Sequence, residues 1–245
     1  MIVLFSDFGL HGPYIGQVKA VLHSLAPQHA VIDLFSDAPA FDIHSSAYLL
    51  AAYARGFPAA SVFCAVVDPG VGSEAREPVF IEAGGRWFVG PDNGLFAQVV
   101  AADPHARCWR IDWRPEKVSE TFHGRDLFAP VAAWLATSQP PAATVFPQAF
   151  SLNCNWPADY HAVIYIDHFG NALTGINAAS MTNDDALLLN EARILYARTY
   201  RQVAVGQAFW YRNANGLVEI AVNQGNAAQI FDLKPGYPLT IQSSS

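Results

Sequence analysis

Residues 61–72 read SVFCAVVDPGVG, and this stretch decides the fold of the first half of the chain. Ser61–Val67 is an almost continuous apolar run, which is typical of a strand buried on both faces. The run ends at Asp68, so the turn at Asp68-Pro69-Gly70 places a carboxylate directly after the strand. In an open α/β sheet, ligands bind at the carboxyl ends of the strands.

The sequence around this run alternates strand and helix signals. The predicted strands are Ile2–Phe5, Ala30–Phe35, Val79–Glu82 and Trp87–Val89, and the predicted helices are Ile15–Leu25, Asp42–Arg55, Leu95–Ala101 and Asp126–Ala136. Asp42 is the expected cap of the second helix, and Gly84-Gly85 is the expected hairpin turn. Strands that alternate with helices predict an α/β N-terminal domain with a mostly parallel sheet.

The composition and the pattern of apolar residues change in the second half of the sequence. Thr137–Pro147 is rich in proline and small residues, which favours a linker. After it come short β-like runs separated by turn signals: Ala162–Ile166, Leu187–Leu189, Gln207–Tyr211, Val218–Val222 and Leu239–Gln242. This spacing predicts a small antiparallel, β-barrel-like or sandwich C-terminal domain. We therefore expect two domains, residues 1–148 and 149–245.

The composition excludes several classes of protein. Hydrophobic residues make up 52% of the 245 residues and charged residues only 14%, which excludes a disordered chain. The net charge is −7 and no basic stripe exists, so we expect no nucleic-acid partner. The longest apolar runs are too short to cross a bilayer, so we expect no membrane partner.

The three cysteines, Cys64, Cys108 and Cys154, lie far apart and form no CxxC pair. This pattern favours buried thiols in a reducing compartment over a disulfide framework or a zinc knuckle. The chain also opens on an apolar strand-like run without a basic leader. We therefore expect a cytoplasmic protein.

Four short stretches combine polar residues with glycine after apolar segments. They are Ser6–Gly9, Asp68–Gly72, Gly90–Gly94 and Thr121–Asp126. Each also has a structural interpretation. Asp7 and Asp68 suit turns, Asp92 or Asn93 suits a cap of the following helix, and His123 suits an exposed helix start. Arg125 and Asp126 suit first-turn helix charges, and 167–171 suits a hairpin corner. Motifs of P-loop nucleotide hydrolases, zincins and serine hydrolases are missing from the sequence.

Taken in order, these blocks resemble one family across nearly the whole chain. Ser6–Gly9 with Pro13–Lys19 resembles its opening signature, and Val67–Gly72, Gly90–Gly94 and Thr121–Asp126 resemble its central blocks. Ile166–Asn171 and Glu219–Gly225 resemble blocks of its second domain. The family is the S-adenosyl-L-methionine hydroxide adenosyltransferases, which are relatives of fluorinase and chlorinase.

The resemblance implies a reaction and an assembly. Water or hydroxide attacks C5′ of the ribose of S-adenosyl-L-methionine and expels methionine, which gives adenosine and L-methionine. The family is typically a homotrimer, and the substrate lies between the N-terminal domain of one subunit and the C-terminal domain of its neighbour. S-adenosyl-L-methionine is the substrate, so no cofactor is expected, and no metal-ligand set with convincing spacing is present.

The resemblance also implies a catalytic Asp, Arg and His. Asp68 and His123 match the first and the last. The family carries the catalytic arginine where this chain has Ala75, followed by a second arginine that corresponds to Arg76. Either Arg76 takes the catalytic role here, or the triad is incomplete. Asp68 and Gly124 follow the water-using branch, since halide-using relatives place an aromatic and a hydroxyl residue there.

The resemblance assigns further residues to substrate binding. Asp7 would hold the ribose hydroxyls, Phe41 would pack on the ligand, and Asp167 would bind the methionine amino group. The adenine would contact Phe169, Asn171, Val222 and Gln224. Two alternatives remain open: a non-catalytic adenosine or S-adenosylmethionine-binding module, and a metal-dependent phosphatase that uses Asp7, Asp68, His123 and Asp126.

Overall fold

The computed structural model describes residues 1–73, 76–190 and 192–243. The chain divides into two compact units, Met1–Trp156 and Pro157–Ser245. No helix among the described residues is long and apolar enough to cross a membrane. Ala75, at the position of the family arginine, lies outside the described residues.

A seven-stranded sheet forms the centre of the first unit. Its strands are β1 Ile2–Ser6, β2 Val31–Phe35, β3 Val62–Val66, β4 Pro78–Ala83, β5 Arg86–Pro91, β6 Arg107–Ile111 and β7 Ala143–Val145. They lie in the order β2-β1-β3-β5-β4-β6-β7. All run in one direction except β4 and β7, so the predicted mostly parallel sheet is confirmed.

Helices cover both faces of this sheet. They are α1 Tyr14–Leu25, α2 Ile43–Ala54, α3 Ala97–Ala101, α4 Ala129–Ala136 and the short α5 Phe150–Asn153. Side chains alternate across a strand, so Leu4 packs with Leu22 of α1 and Val131 of α4, whereas Phe5 points to the other face. There Phe35 contacts both Phe5 and Tyr53 of α2. As predicted, Asp42 caps α2 by accepting the Ser45 N–H at 3.0 Å.

The hairpin between β4 and β5 also matches its sequence signal. Ala83 pairs with Arg86, so Gly84 and Gly85 alone form the turn, and both have positive φ angles (55° and 72°). Such a two-residue turn favours glycine because both residues adopt left-handed backbone.

The predicted linker Thr137–Pro147 is partly wrong, because Ala143–Val145 forms the edge strand β7. This strand pairs with β6, which was likewise not predicted from the sequence. β7 has only three residues at the edge of the sheet, and β6 carries Arg107 and Arg110 among its five residues, so neither gives a clear apolar pattern.

The second unit contains two antiparallel sheets. One has the order β12-β13-β9-β8 and the other β11-β10-β14. The strands are β8 Tyr160–Ile166, β9 Ala172–Asn177, β10 Ala186–Leu189, β11 Ala192–Ile194, β12 Ala208–Arg212, β13 Leu217–Val222 and β14 Thr240–Gln242, and α6 spans Ala227–Phe231. Their shared core surrounds the fully buried Trp210, whose indole N–H donates to the Asp185 carbonyl at 3.0 Å. The predicted antiparallel second half is confirmed.

The expectation that Asp92 or Asn93 caps the helix that follows is wrong, because neither side chain caps α3. The buried Asp92 carboxylate accepts the N–H groups of Phe150 and Ser151, at 2.6 and 2.8 Å, at the start of α5. Asp92 therefore ties the end of β5 to a helix almost sixty residues further along the chain.

We predict that Asp92→Ala lowers the free energy of unfolding by about 2–3 kcal/mol, because two backbone donors lose a charged acceptor in a buried place. Urea denaturation measures this change. The control Glu116→Ala removes an exposed carboxylate of the same unit and should change stability by less than about 0.5 kcal/mol. Equal losses in the two variants would contradict the anchoring role of Asp92.

Candidate active site

Asp7 and Asp68 follow adjacent parallel strands. β1 pairs in register with β3, with Phe5 opposite Ala65 and Ser6 opposite Val66. Both carboxylates therefore leave the sheet at the same edge, and both line one cavity of about 600 Å³. The structure thus brings together two acids that are 61 residues apart in the sequence.

The Asp68 carboxylate is held by its own turn and by Arg76. Oδ1 accepts the Gly70 N–H at 3.2 Å and pairs with the Arg76 guanidinium. The Asp68 side chain is only 8% exposed, against 28% for Arg76. Arg76, the remaining arginine of the sequence signal, is therefore in direct contact with the candidate catalytic acid.

Two neighbouring residues make this arrangement possible. Asn93 donates its side-chain N–H to the Val67 carbonyl at 2.9 Å, which fixes the end of the segment that precedes Asp68. Gly70 lets the guanidinium pass close by, because an added Cβ would lie 2.7 Å from the Cζ atom of Arg76.

Asp7 is fixed by the backbone of Phe41. Oδ2 accepts the Phe41 N–H at 3.0 Å, and Phe41 has a left-handed backbone with φ of 62°. This conformation is costly for a bulky residue. The Phe41 ring is 74% exposed beside the cavity. Burial and the negative charge of Asp68 raise the pKa of Asp7, and the Phe41 N–H opposes that rise only in part.

His123 lies at the start of a π-helical turn, Gly124–Phe128, that leads into α4. Such turns occur frequently at functional sites. Gly124 belongs to this turn, and an added Cβ there would lie 2.8 Å from the ring of Phe8. His123, at the start of this turn, lines the same cavity as Asp7 and Asp68.

Asp126 lies in the first turn of the π-helical segment, as its structural interpretation held, and with Arg125 it also forms a hydrogen-bond network. Arg125 Nε and Nη2 donate to the two Asp126 oxygens at 2.6 and 2.9 Å, and Arg125 Nη1 donates to Gln17 at 2.7 Å. Asp126 also accepts the Ser119 N–H at 2.8 Å. Arg125 lowers the pKa of Asp126 through these bonds. The network joins the π-helical turn to α1 and to the preceding loop.

Aromatic side chains form much of the cavity wall. Phe8, Tyr14 and Phe122 meet at ring-centroid distances of 5.3–6.2 Å, and the Arg125 guanidinium lies 5.0 Å from the Phe122 ring. We call this space the aromatic cavity. Tyr14, Gln17 and Arg125 were not assigned to a site from the sequence, because their placement depends on long-range contacts.

A second cavity of about 660 Å³ also borders Asp68 and His123. Arg76, Glu77, Arg114 and Glu120 line it and do not line the aromatic cavity. We call it the charge-lined cavity. Among the described residues, no group of three histidine, cysteine, aspartate or glutamate side chains is placed to hold a metal ion.

The remaining predicted residues lie in the second unit. Asp167 Oδ1 accepts the N–H groups of Phe169 and Asn171 at 2.9 and 2.8 Å, and Oδ2 accepts the Asn171 side-chain N–H at 2.9 Å. The stretch does form the corner between β8 and β9, as its structural interpretation held. It also presents the Phe169 ring, which is 72% exposed.

The turn after β13 lies beside this corner within the second unit. Val222 is buried and bridges to Gly225, and Gln224 has a left-handed backbone with φ of 54°. The Asn226 side chain packs so closely on Gly170 that an added Cβ there would collide with it. The structure therefore groups the second-unit residues, as it groups Asp7, Phe41, Asp68, Arg76 and His123 in the first.

Burial and the charge of Asp167 raise the pKa of Glu219, which lies on β13 and accepts from Asn213 at 3.0 Å. Glu219 is only 6% exposed and also pairs with the Tyr211 hydroxyl. Glu219 thus joins β13 to neighbouring residues Tyr211 and Asn213 through hydrogen bonds of its buried side chain. The position of Glu219 in the block Glu219–Gly225 did not reveal this role.

Comparison with known proteins places the chain in a family. Residues 2–145 match the SAM hydroxide adenosyltransferase N-terminal domain, and residues 161–240 match the C-terminal domain of the same family. The chain therefore belongs to the SAM hydroxide adenosyltransferase family, and the predicted family membership is confirmed.

Named relatives agree with this assignment. The (R)-S-adenosyl-L-methionine hydrolase of Thermus thermophilus is 36% identical over 98% of both chains, and that of Salinispora arenicola is 35% identical over 96% of this chain and 95% of the relative. The fluorinase of Actinopolyspora mzabensis is only 22% identical, over 100% of this chain and 97% of the relative. A Thermotoga maritima structure described as an uncharacterized conserved protein has a TM-score of 0.85 at 28% identity and covers 99% of this chain and 100% of its own.

We predict that Gly70→Ala separates Arg76 from Asp68, because the new methyl group occupies the space of the guanidinium. The φ angle of Gly70 lies outside the left-handed region, so alanine meets no left-handed strain there. Crystal structures of the variant and of Gly16→Ala test this. An added Cβ at Gly16 meets nothing within 4 Å, so that control should keep the ion pair. An intact Arg76–Asp68 pair in Gly70→Ala would contradict the prediction.

Proposed function

We propose that this protein hydrolyses S-adenosyl-L-methionine to adenosine and L-methionine. The observation that carries the proposal is the contact of Asp68 with Arg76 at a cavity that also contains His123 and Asp7. The names of the relatives that are 33–36% identical over most of this chain support the same activity.

The reaction is a displacement at C5′ of the ribose. A water oxygen forms a bond to C5′, the C5′–S bond breaks, and its electron pair stays on the sulfur of methionine. The leaving group is a neutral thioether, so no general acid is needed. One proton is lost from the water, and a protein group must accept it.

The free-energy cost of forming hydroxide from water determines what the catalytic residues must do. Bulk water has a pKa of about 15.7, so free hydroxide at pH 7 costs about 12 kcal/mol. One of Asp68 and His123 accepts the proton while the other orients the water, and the Arg76 cation stabilises the developing hydroxide. General base catalysis supplies about 10²–10⁴-fold, so the rest comes from in-line positioning and from exclusion of bulk water. The aromatic wall of Phe8 and Phe122 suits that exclusion.

The first unit supplies two groups for the nucleoside. Asp7 accepts hydrogen bonds from the ribose hydroxyls, since its Oδ1 is not used by Phe41 and charge-assisted bonds of this kind are strong. Phe41 packs its exposed ring on the ligand. In the second unit, Asp167 takes the methionine amino group, and Phe169, Asn171, Val222 and Gln224 take the adenine.

The proposed assembly is a homotrimer in the cytoplasm, with the substrate between neighbouring subunits. Two exposed aromatic rings that carry binding roles, Phe41 and Phe169, support a site that neighbouring copies complete. The three free cysteines suit a reducing compartment. Sedimentation equilibrium should give three times the mass of one chain.

The second unit is proposed to be a closed barrel. Two isolated bridges support closure, because Ala162 of β8 pairs with Pro238 before β14, and Tyr196 after β11 pairs with Trp210 of β12. Each bridge joins the edges of the two sheets, one on each side.

Incubation of the purified protein with S-adenosyl-L-methionine, followed by chromatography for adenosine, tests the proposed activity. A second candidate, a binding module without turnover, is favoured by one observation, the alanine at position 75. Binding in calorimetry without adenosine over hours would select it, and Ala75→Arg should then create turnover.

We predict that Asp68→Ala and His123→Ala each lower kcat by about 10²–10⁴-fold, because each removes a group that activates the water. Binding of S-adenosyl-L-methionine should change far less. His105→Ala, which replaces a histidine outside both cavities, is the matched control. If Asp68→Ala turns over at the wild-type rate, Asp68 does not activate the water and the proposed mechanism is wrong.

We predict that Asp7→Ala mainly weakens binding, and that adenosine binding to the wild type is pH-dependent. The raised pKa of Asp7 means that its carboxylate gains a proton at a higher pH than an ordinary aspartate. The hydroxyl acceptor is therefore present above that pKa, and affinity falls as the pH drops through it. Calorimetry across acidic pH measures this loss. Asp7→Asn should show weak binding without the Asp7 titration.

A further inference from the structure

Asp68 and His123 lie between two cavities of different character. The aromatic cavity holds Asp7 and Phe41, the residues proposed to hold the nucleoside. The charge-lined cavity has neither of them, and its wall carries two arginines and two glutamates instead. The two proposed catalytic groups are therefore reached from two directions.

The reaction requires water to approach C5′ from a side different from the one that the leaving group occupies. Each turnover consumes one water and releases one proton, because a sulfonium cation and a water become a thioether, an alcohol and a proton. The water must attack C5′ from the side opposite the sulfur, so it cannot arrive past the leaving group. The nucleoside proposed for the aromatic cavity would occupy that side, which leaves the charge-lined cavity as the approach for water.

The wall of the charge-lined cavity suits water and protons. Arg76 lies on it and pairs with Asp68, so a water that passes Arg76 reaches the carboxylate directly. Glu77, Arg114 and Glu120 keep the path hydrated, since ionised groups hold water strongly. Arg114 also donates to the Trp113 carbonyl at 2.9 Å, which anchors the side chain beside the path.

We propose that the charge-lined cavity is the port through which water reaches Asp68 and His123 and through which the released proton leaves. This inference rests on the proposed hydrolase function. It assigns the second substrate, water, to a space distinct from the one that holds the nucleoside.

Val118 offers a test, because it lines only the charge-lined cavity, is 46% exposed and has no catalytic role. The series Val118→Ala, Val118→Phe and Val118→Trp varies the space in the port. We expect Val118→Trp to lower kcat at least tenfold, with Val118→Phe between it and the wild type and Val118→Ala unchanged. The KM for S-adenosyl-L-methionine and the Kd of adenosine should stay within twofold.

Val145→Trp is the matched control, since Val145 is 65% exposed on β7 of the same unit and lines neither cavity. It should keep the wild-type kcat. Thermal unfolding of both tryptophan variants checks that each is folded.

Three results would overturn the inference. If Val118→Trp keeps the kcat of Val145→Trp, water arrives by another route. If Val118→Trp raises KM and the adenosine Kd instead, the cavity holds the nucleoside rather than water. If the wild type itself forms no adenosine, the proposed function fails and the port fails with it. The assay of the wild type alone distinguishes this result from the first two.

Discussion

The parallel pairing of β1 with β3 is the constraint on which the candidate site depends. Register places Ser6 opposite Val66, so the residues that follow, Asp7 and Asp68, leave the sheet side by side. Two carboxylates in one partly dehydrated cavity repel each other, and the raised pKa of Asp7 reflects burial together with that repulsion. The fold tolerates the arrangement because Arg76 neutralises Asp68 and the Phe41 backbone donates to Asp7.

A strained residue and an irregular helix complete the site. Phe41 keeps a left-handed backbone that a bulky side chain rarely adopts, and its N–H points at Asp7 as a result. The π-helical turn at Gly124–Phe128 interrupts the regular helix just after His123. Strain of this kind persists only where surrounding contacts enforce it, and it concentrates at functional sites. Around the π-helical turn, the ion pair of Arg125 with Asp126 and the bond to Gln17 provide that enforcement.

The central strands and the hairpin were predictable because their signals are local. Ser61–Val67 is apolar throughout, and Gly84-Gly85 supplies the backbone freedom that its turn requires. β6 and the edge strand β7 were not predictable, because β6 carries two arginines among its five residues and β7 has three residues among prolines and small residues. The family resemblance supplied the candidate residues. That Asp68 and His123 both border two cavities depends on tertiary structure alone.

The close approach of Phe8 to Gly124 limits what can stand at position 124. Any side chain there would collide with the Phe8 ring, which itself packs against Phe122. Even the smallest side chain at position 124 therefore requires the Phe8 ring to move. Because that ring also lines the aromatic cavity, the residue at 124 and the shape of the cavity constrain each other.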